Sequence, residues 1–280
     1  MRTFHLLTTV LTTAVLFSAK LTAQLPPPNE AGAAMGHLHL MAKDTDAQRK
    51  FWVDVMGAKL TKLGQADVFK FPGVLVMARK GSPSGGTKGS VVNHLGFQVP
   101  NVKEWVAAAK ARGASIVTAT EVAQAKGEYW FNPGVQTYQA FVMGPDEVKI
   151  EISEVPSMKE PIAHHHIHFY NPAVDATKAW YVKTFGGVPG KRGPFECADV
   201  PGVNLSFSAE TEKNLPTKGR SLDHIGFEIR GLEAFCKKLE ASGLKFDQRY
   251  TKVPALGIAV AFFTDPWGTY VELTEGLNKL

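Results

Sequence analysis

The stretch His164-His165-His166-Ile167-His168-Phe169 decides how this chain is interpreted. Side chains of a β-strand alternate between two faces, so the first, third and fifth residues of the stretch, all histidines, share one face. Neutral imidazole is the commonest protein ligand for a metal ion. The stretch therefore predicts a metal-binding strand, provided that the rest of the chain supplies partner ligands.

The stretch has a counterpart in the first half of the chain, His37-Leu38-His39-Leu40. Residues 44–56 follow the counterpart and residues 175–185 follow the histidine stretch, and both segments have the apolar spacing of an amphipathic helix. Gly57 and Gly186 come next, at equal distances from His37 and His166, and a glycine can end a helix. Each half therefore starts with a strand and a helix.

A second pair of motifs repeats this pattern, with Asn93-His94-Leu95-Gly96-Phe97 in one half and Asp223-His224-Ile225-Gly226-Phe227 in the other. Helical spacing follows in both cases, over residues 102–112 and 232–242. Each half closes with a turn and a strand that carries an acid, Glu151 or Glu272. The repeats predict an α+β fold of four β-α-β-β-β units, two in each half.

The repeats also set the expected boundaries. The two domains should span residues 35–156 and 164–280, joined by a polar, proline-flanked linker at 157–163. Residues 1–23 have an apolar run and small residues before a cleavage point, which is typical of a signal peptide cut after Ala23. Export follows from this interpretation, and an uncleaved anchor is the alternative. The proline-rich residues 24–34 are expected to form a flexible or extended linker.

Composition excludes few function classes but argues against one. The formal net charge is +5 over 280 residues, and no run of Lys or Arg stands out. We therefore expect no nucleic-acid partner. The two cysteines, Cys197 and Cys236, are expected to be buried thiols, because free cysteine behaves as a small core residue. A disulfide is the alternative in an exported chain.

These motifs resemble those of the vicinal oxygen chelate superfamily, which includes glyoxalase I, extradiol dioxygenases and bleomycin-resistance proteins. The carrying residues are the strand His-Ile/Leu pattern, the Asn/Asp-His-Leu/Ile-Gly-Phe motif and Asp265-Pro266-Trp267-Gly268-Thr269-Tyr270-Val271-Glu272-Leu273. The resemblance covers nearly all of the chain after residue 34. It implies two tandem half-open barrels, each built from two units around a divalent metal.

The resemblance also implies the metal ligands. Carried over by position, it gives His166, His224 and Glu272 as one set in the second half, and His37, His94 and Glu151 as another set in the first half. The family's fourth ligand position falls within residues 74–78 and 204–208, where the chain has no His, Asp or Glu. Each site would then have two imidazoles, one carboxylate and open positions.

Strand alternation supports these sets independently. Val271 and Leu273 lie on one face of their strand and Glu272 on the other, and the same holds for Leu95 and His94 in theirs. Two imidazoles with one carboxylate favour Fe²⁺, while Zn²⁺, Mn²⁺ and Ni²⁺ are chemically possible. Glu228 shares a face with His224 and is a conceivable acid or base. Supporting or pocket-lining roles are expected for four further histidines, His39, His164, His165 and His168.

The resulting hypothesis is an exported metalloenzyme of the glyoxalase or dioxygenase type that acts on a small, oxygen-rich molecule. Extradiol dioxygenases carry a Tyr shortly before the Glu ligand, where this chain has Phe262 and Phe141. Glyoxalase I uses a carboxylate at the fourth ligand position, which is also lacking. The choice between an oxygenase and a lyase or isomerase therefore stays open. The alternative class is a binding protein of the bleomycin-resistance type, which performs no chemistry. The oligomeric state is not predicted.

Overall fold

The computed structural model describes residues 25–211 and 214–280, so the predicted signal peptide lies outside the described part of the chain. Unit 1 contains β1 (Ala33–Ala42), α1 (Thr45–Arg49) with a π-helical continuation (Lys50–Val55), β2 (Lys59–Leu63), β3 (Ala66–Phe71) and β4 (Val74–Lys80). Unit 2 contains β5 (Val92–Val99), α2 (Val102–Ala111), β6 (Ser115–Ile116), α3 (Thr118–Glu121), β7 (Trp130–Asn132), β8 (Thr137–Met143) and β9 (Lys149–Glu154).

The second half repeats this order. Unit 3 contains β10 (Ala163–Tyr170), α4 (Val174–Phe185), β11 (Val188–Arg192), β12 (Phe195–Val200) and β13 (Val203–Ser208). Unit 4 contains β14 (Leu222–Ile229), α5 (Leu232–Ala241), β15 (Gln248–Val253), β16 (Ile258–Thr264) and β17 (Tyr270–Glu275). The predicted α+β class and the four units are confirmed. Across residues 25–211 and 214–280, every helix is too short or too polar to cross a membrane.

The sequence explains where the main helices begin and end. Asp44 and Asn101 precede α1 and α2, and their side chains accept hydrogen bonds from backbone N–H groups of the first turn. Gly186 ends α4 in the left-handed conformation, with φ of 66°, as predicted from its position. Gly57 stands at the equivalent place in unit 1, with φ of 80°.

Two large sheets are formed, and each combines one unit from either half of the chain. The strand order of the first sheet is β15-β16-β17-β14-β1-β4-β3-β2, which joins unit 4 to unit 1. The order of the second is β11-β12-β13-β10-β5-β9-β8-β6, which joins unit 3 to unit 2. The junctions are the antiparallel pairs β1–β14 and β10–β5.

This topology corrects the expectation that both units of each barrel come from the same half of the chain. All four units begin with the same pattern of strand residues, so the sequence does not specify which first strands pair. Within a half, unit 1 contacts unit 2 through packed side chains instead, as when Trp52 and Phe71 pack on Phe97 with ring centroids 6.1 and 5.0 Å apart. The halves are thus interlocked through backbone hydrogen bonds.

The main core contains the apolar faces of both sheets together with the helices. Leu38, Leu95, Ile167 and Ile225, which follow the four motif histidines, are all fully buried members of it. Four aromatic residues of the helices also belong to this core or pack against it, namely Trp52, Trp105, Tyr181 and Phe235. The histidines consequently face away from the core, on the other side of each sheet.

Two smaller predictions have mixed outcomes. Cys197 and Cys236 are free and buried, which confirms the expected thiols, and burial raises the pKa of Cys236 to about 11. The linker predicted at 24–34 packs against the fold where it is described. Ala33 and Ala34 already belong to β1, and Leu25 is buried against Val68 and its neighbours.

The interlocked sheets predict how the chain behaves when the linker is cut. Ser157, Lys159 and Glu160 are exposed between the halves, so a protease site inserted at 157–160 should be cleaved in the folded protein. We expect the two fragments to elute together in size-exclusion chromatography, because both sheets depend on the β1–β14 and β10–β5 junctions. Fragments that separate in native buffer, each with a folded circular dichroism spectrum, would contradict the topology.

Candidate metal centres

Three side chains from opposite halves of the chain converge on the first sheet. His37 lies on β1, His224 on β14 and Glu272 on β17. The Nε2 atoms of His37 and His224 lie 2.9 and 2.8 Å from the same atom, Oε2 of Glu272. All three residues are buried, with exposed fractions of 1, 4 and 7%. We call these residues the first cluster.

The electrostatics of the first cluster favour an ionised acid beside its imidazoles. Burial alone would raise the pKa of Glu272, but the charges and hydrogen bonds of His37 and His224 outweigh it and hold that pKa well below the usual range. Burial likewise opposes charge on His224, but hydrogen bonds to Asp223 and Glu272 raise its pKa overall. The Glu272 carboxylate therefore stays ionised. A cation can take the place of the protons that lie between this carboxylate and the two imidazoles.

Asp223 fixes the orientation of the His224 ring. Its Oδ1 atom lies 2.7 Å from Nδ1 of His224. Its other oxygen, Oδ2, accepts hydrogen bonds from the Arg79 side chain and from the backbone N–H of Gly219. A proton on Nδ1 of His224 leaves the lone pair on Nε2, the atom that faces Glu272. A carboxylate in this position is typical of metal-ligating histidines.

A glycine makes room for each imidazole at the strand junctions. His37 pairs with Gly226 across β1–β14, and His166 pairs with Gly96 across β10–β5. A Cβ atom added at either glycine would overlap the ring of the opposing histidine. The glycine of the repeated His-Leu/Ile-Gly-Phe motif therefore serves the neighbouring strand, because the imidazole lies over its backbone.

The second sheet carries the equivalent residues, which we call the second cluster: His94 on β5, Glu151 on β9 and His166 on β10. Nε2 of His94 lies 3.3 Å from Oε2 of Glu151, and Nε2 of His166 lies 3.9 Å from Oε1. Nε2 of His166 is buried and has no hydrogen-bond partner among the described residues. This cluster is looser than the first.

The surroundings of the second cluster are more polar and more positive. Oε1 of Glu151 accepts hydrogen bonds of 2.7 Å from both Gln139 and Ser153. Burial, followed by the positive charge of Arg192, lowers the pKa of His166 well below its usual value. Asn93 replaces the acid Asp223 as the partner of the adjacent histidine, 3.0 Å from Nδ1 of His94. The second cluster therefore attracts a cation less strongly than the first.

A cavity of about 440 Å³ opens onto the first cluster, within the usual size range of small-molecule sites. Its lining is mainly apolar and includes Leu63, Met77, Val260 and Phe262. Arg79 and Tyr270 supply polar groups in the same cavity. The Tyr270 ring lies 5.7 Å from that of His224. The arrangement can hold a small molecule against the ligand atoms.

All six residues predicted to be ligands lie in the two clusters, but the predicted grouping was wrong. His166 was expected beside His224 and Glu272, yet it lies with His94 and Glu151. His37 takes its place beside His224 and Glu272. The reason is the pairing of units from opposite halves, which exchanges one histidine between the two sets.

The other predicted residues have different positions. The Glu228 carboxylate makes its hydrogen bonds outside the first cluster. It accepts them from Thr274 Oγ1 and from the backbone N–H groups of residues 276–278. Burial raises the pKa of Glu228. This contact network fits a role in holding the C-terminal turn. Among the remaining histidines, His39 packs on His224 and burial lowers its pKa to about 3.

The second-sheet histidines differ in what they contact. Nδ1 of His165 lies 2.9 Å from Nδ1 of His166. His168 contacts His94 and Ser208 through its two ring nitrogens. His168 also places a ring nitrogen within 4.8 Å of ligand atoms of His94 and His166, so these three imidazoles form a further group that could hold an ion. His164 is turned towards Phe97 and the Gly202 carbonyl, so it belongs to neither cluster.

Sequence reasoning missed two residues at the first cluster. Tyr270 lies two residues before Glu272, so strand alternation alone places both on one face, and that signal was available. Asp223 immediately precedes its partner His224, and only the side-chain geometry reveals the 2.7 Å contact.

The donor sets fit a divalent metal ion. The first cluster offers two imidazole nitrogens and a carboxylate oxygen that already converge, and the second leaves a buried imidazole nitrogen unpaired among the described residues. An unpaired buried nitrogen costs free energy that a bound cation would recover. Nitrogen and oxygen donors of this kind suit iron, zinc, nickel and manganese.

Comparison with known proteins supports the fold. The family model of the Glyoxalase/Bleomycin resistance protein/Dioxygenase superfamily matches residues 34–152 and 163–273, one segment in each half. Glyoxalase I from Zea mays has a similar structure, with a TM-score of 0.67 at 16% identity over 88% of this chain and 94% of that one.

Two further solved structures are similar. A mutant form of glyoxalase I from Zea mays superposes with a TM-score of 0.69 at 16% identity, over 89% of this chain and 95% of that one. A Bacillus subtilis protein with a provisional dioxygenase description gives 0.61 at 13% identity, over 86% and 85%. No curated protein matches the chain significantly by sequence.

The glycine contacts predict a site-specific defect. Gly226→Ala should displace the His37 ring, because the new methyl group would overlap it. We expect a loss of about 1–3 kcal/mol in the free energy of unfolding, together with weaker zinc binding at the first cluster. Gly127→Ala is the control, since nothing lies within 4 Å of a Cβ atom there. Denaturant titration and calorimetric zinc titration measure both effects, and a Gly226→Ala protein that matches the control in both would contradict the prediction.

Proposed function

We propose that this chain, which belongs to the Glyoxalase/Bleomycin resistance protein/Dioxygenase superfamily, is a divalent-metal-dependent enzyme that acts on a small, oxygen-rich molecule at the first cluster. One observation carries the proposal. Two imidazole nitrogens lie within 2.9 Å of a single carboxylate oxygen, and a cavity of about 440 Å³ opens onto them.

The first cluster is the better catalytic candidate of the two. Asp223 and Glu272 give it two acids against one adjacent arginine, Arg79, whereas the second cluster has Glu151 alone and lies near Arg192. Coulomb attraction therefore favours a cation at the first cluster. Its ligands also line a cavity with apolar walls, which suits the carbon skeleton of a small molecule.

The residues of the chain have distinct roles in this proposal. His37, His224 and Glu272 hold the ion, and Asp223 keeps the His224 ring in the ligating tautomer. A bound divalent ion would supply Lewis acidity to substrate oxygens. The apolar lining, with Phe262 edge-on to His224 at 5.5 Å, limits water at the reacting atoms. Tyr270 lines the same cavity, with its ring 5.7 Å from that of His224.

Fe²⁺ is our first choice of metal, because two imidazoles and one carboxylate with open positions suit non-haem iron chemistry. Zn²⁺, Mn²⁺ and Ni²⁺ are also chemically compatible. The reaction is either that of a dioxygenase or that of a glyoxalase-type lyase or isomerase. Phe262 argues against an extradiol dioxygenase, because the resemblance places a Tyr at this position in those enzymes. The apolar residues of β4 argue against the glyoxalase I reaction, because the resemblance places a carboxylate there in glyoxalase I.

Metal content tests the proposal directly. Protein stripped with a chelator and reloaded under anaerobic conditions should bind Fe²⁺ or Zn²⁺. His224→Ala and Glu272→Ala should each lose the ion of the first cluster, because each removes a converging ligand. Glu196→Ala is the control, since Glu196 pairs with Lys178 and Lys191 outside both clusters. Elemental analysis that finds the same metal content in all three variants and the unmodified protein would contradict the site.

Activity assays on the loaded protein separate the reaction types. Oxygen uptake with a panel of catechols reports a dioxygenase, and loss of hemithioacetals of α-oxoaldehydes reports a glyoxalase. We expect turnover in one panel and its loss in Glu272→Ala. Tight ligand binding with no turnover in either panel would instead indicate a binding protein.

We also propose that the protein is exported. Residues 1–23 have the pattern of a cleaved signal peptide. N-terminal sequencing of protein recovered from outside the cytoplasm should begin at Gln24. Recovery of the full-length chain with Met1 in the cytoplasm alone would contradict export.

A further inference from the structure

The first cluster lacks one ligand that the family pattern would place on β4. In the parallel pair β1–β4, the residues beside His37 and His39 are Leu75 and Met77. Neither an aliphatic side chain nor a thioether is a usual ligand for Fe²⁺ or Zn²⁺ at such a site. A fourth protein ligand therefore has to come from a strand other than β4.

His39 occupies the required position. It lies two residues after His37, on the same face of β1, and pairs directly with His224 across the strand junction. Its ring centroid lies 4.5 Å from that of His224 and 6.3 Å from that of His37. One ligand atom from each of His37, His39, His224 and Glu272 can be chosen so that all four lie within 4.8 Å of one another.

These separations are close to those in a metal site. Two nitrogen ligands at about 2.1 Å from one ion are at most about 4.2 Å apart. The four atoms therefore need only a small contraction to reach the separations of a metal site.

The ring nitrogens of His39 are also free to ligate. Within residues 25–211 and 214–280, the His39 ring has no hydrogen-bonding side chain or carbonyl partner; its neighbours are the rings of His37 and His224. His39 instead lines the cavity. The first cluster thus has an imidazole, that of His39, which faces the cavity and has no hydrogen-bond partner among the described residues.

His168 is the equivalent histidine of the second sheet, and both of its ring nitrogens already have partners. Nε2 of His168 lies 2.8 Å from Ser208 Oγ, and its Nδ1 lies 3.2 Å from Nε2 of His94. Arg79 occupies the position on β4 that matches Ser208, and it turns to Asp223 at 3.3 Å. The change from Ser to Arg therefore leaves His39 without the hydroxyl partner that His168 has.

We propose that His39 is a fourth protein ligand of the first cluster, which makes it a site of three imidazoles and one carboxylate. This inference rests on the metal site of the proposed function. Four protein ligands leave two positions on a six-coordinate ion, which is the number that a substrate with two adjacent oxygens needs. The His-Leu-His sequence of β1 thus replaces the missing ligand of β4.

The test isolates the first cluster and then changes His39. In a Glu151→Gln/His94→Gln background, which removes the carboxylate and one of the three neighbouring imidazoles of the second sheet, calorimetric Zn²⁺ titration should find one tight site. His39→Gln should weaken it at least about tenfold, because loss of a partner outside the ligand set already costs about 10- to 100-fold. His164→Gln is the matched control, since His164 faces Phe97 outside both clusters, and its affinity should be unchanged.

A second measurement leaves His39 intact, so it does not depend on how the variant folds. Pulsed electron paramagnetic resonance of Cu²⁺ in the Glu151→Gln/His94→Gln protein should count three imidazoles at the ion, whereas the histidine group of the second sheet keeps only His166 and His168 in this variant. Two imidazoles, or a His39→Gln protein that binds Zn²⁺ as tightly as the control, would overturn the inference and leave the two-histidine site in place. A Glu151→Gln/His94→Gln protein that binds no ion would instead overturn the proposed metal site itself.

Discussion

The backbone pairing of first strands from opposite halves is the constraint on which the rest of the structure depends. The antiparallel junctions β1–β14 and β10–β5 complete both sheets, and they also place His37 opposite Gly226 and His166 opposite Gly96. Without a side chain at those glycines, each imidazole can lie over the partner strand and reach an acid on the strand beyond it. The same contacts therefore build the fold and assemble the ligands.

This arrangement places buried polar groups where only a partner can compensate for them. Burying histidines and a carboxylate costs free energy unless hydrogen bonds or an ion satisfy them. In the first cluster the Glu272 carboxylate serves both imidazoles at once. In the second, Gln139 and Ser153 take up one oxygen of Glu151, and Nε2 of His166 stays unpaired among the described residues. The two clusters differ in chemistry although their backbones repeat.

The sequence predicted the units, the helix positions, the glycine that ends α4 and the six residues that form the clusters. The units, the helices and the glycine follow from local signals, such as strand alternation, helical spacing and motif repetition, whereas the six ligand positions follow from the resemblance to the vicinal oxygen chelate superfamily. It did not predict which units share a sheet, because four similar first strands present equivalent edges and pairing is decided by long-range packing. For the same reason His37 and His166 were assigned to each other's sites. The role of Glu228 depends on where the C-terminal residues 276–278 fold back, which no local pattern encodes.

The asymmetry between the clusters links the fold to the proposed activity. One repeated scaffold carries a centre with two acids, an uncommitted histidine and an apolar cavity, and another centre with a nearby arginine and internal hydrogen bonds. The first has the features of a site for a small molecule, whereas in the second the acid is held by Gln139 and Ser153 and the imidazoles lie farther from it. Differences at a few residues around a shared geometry, such as Asp223 against Asn93, are sufficient to produce this contrast.

A direct measurement can show whether each centre takes its histidines from both halves of the chain. Nuclear magnetic resonance of ¹⁵N-histidine-labelled protein loaded with ¹¹³Cd²⁺ does so, because scalar couplings identify which imidazoles share an ion. We predict that His37 and His224 couple to the same cadmium resonance. Coupling of His166 and His224 to one resonance, or no coupling from His37, would contradict the interlocked arrangement.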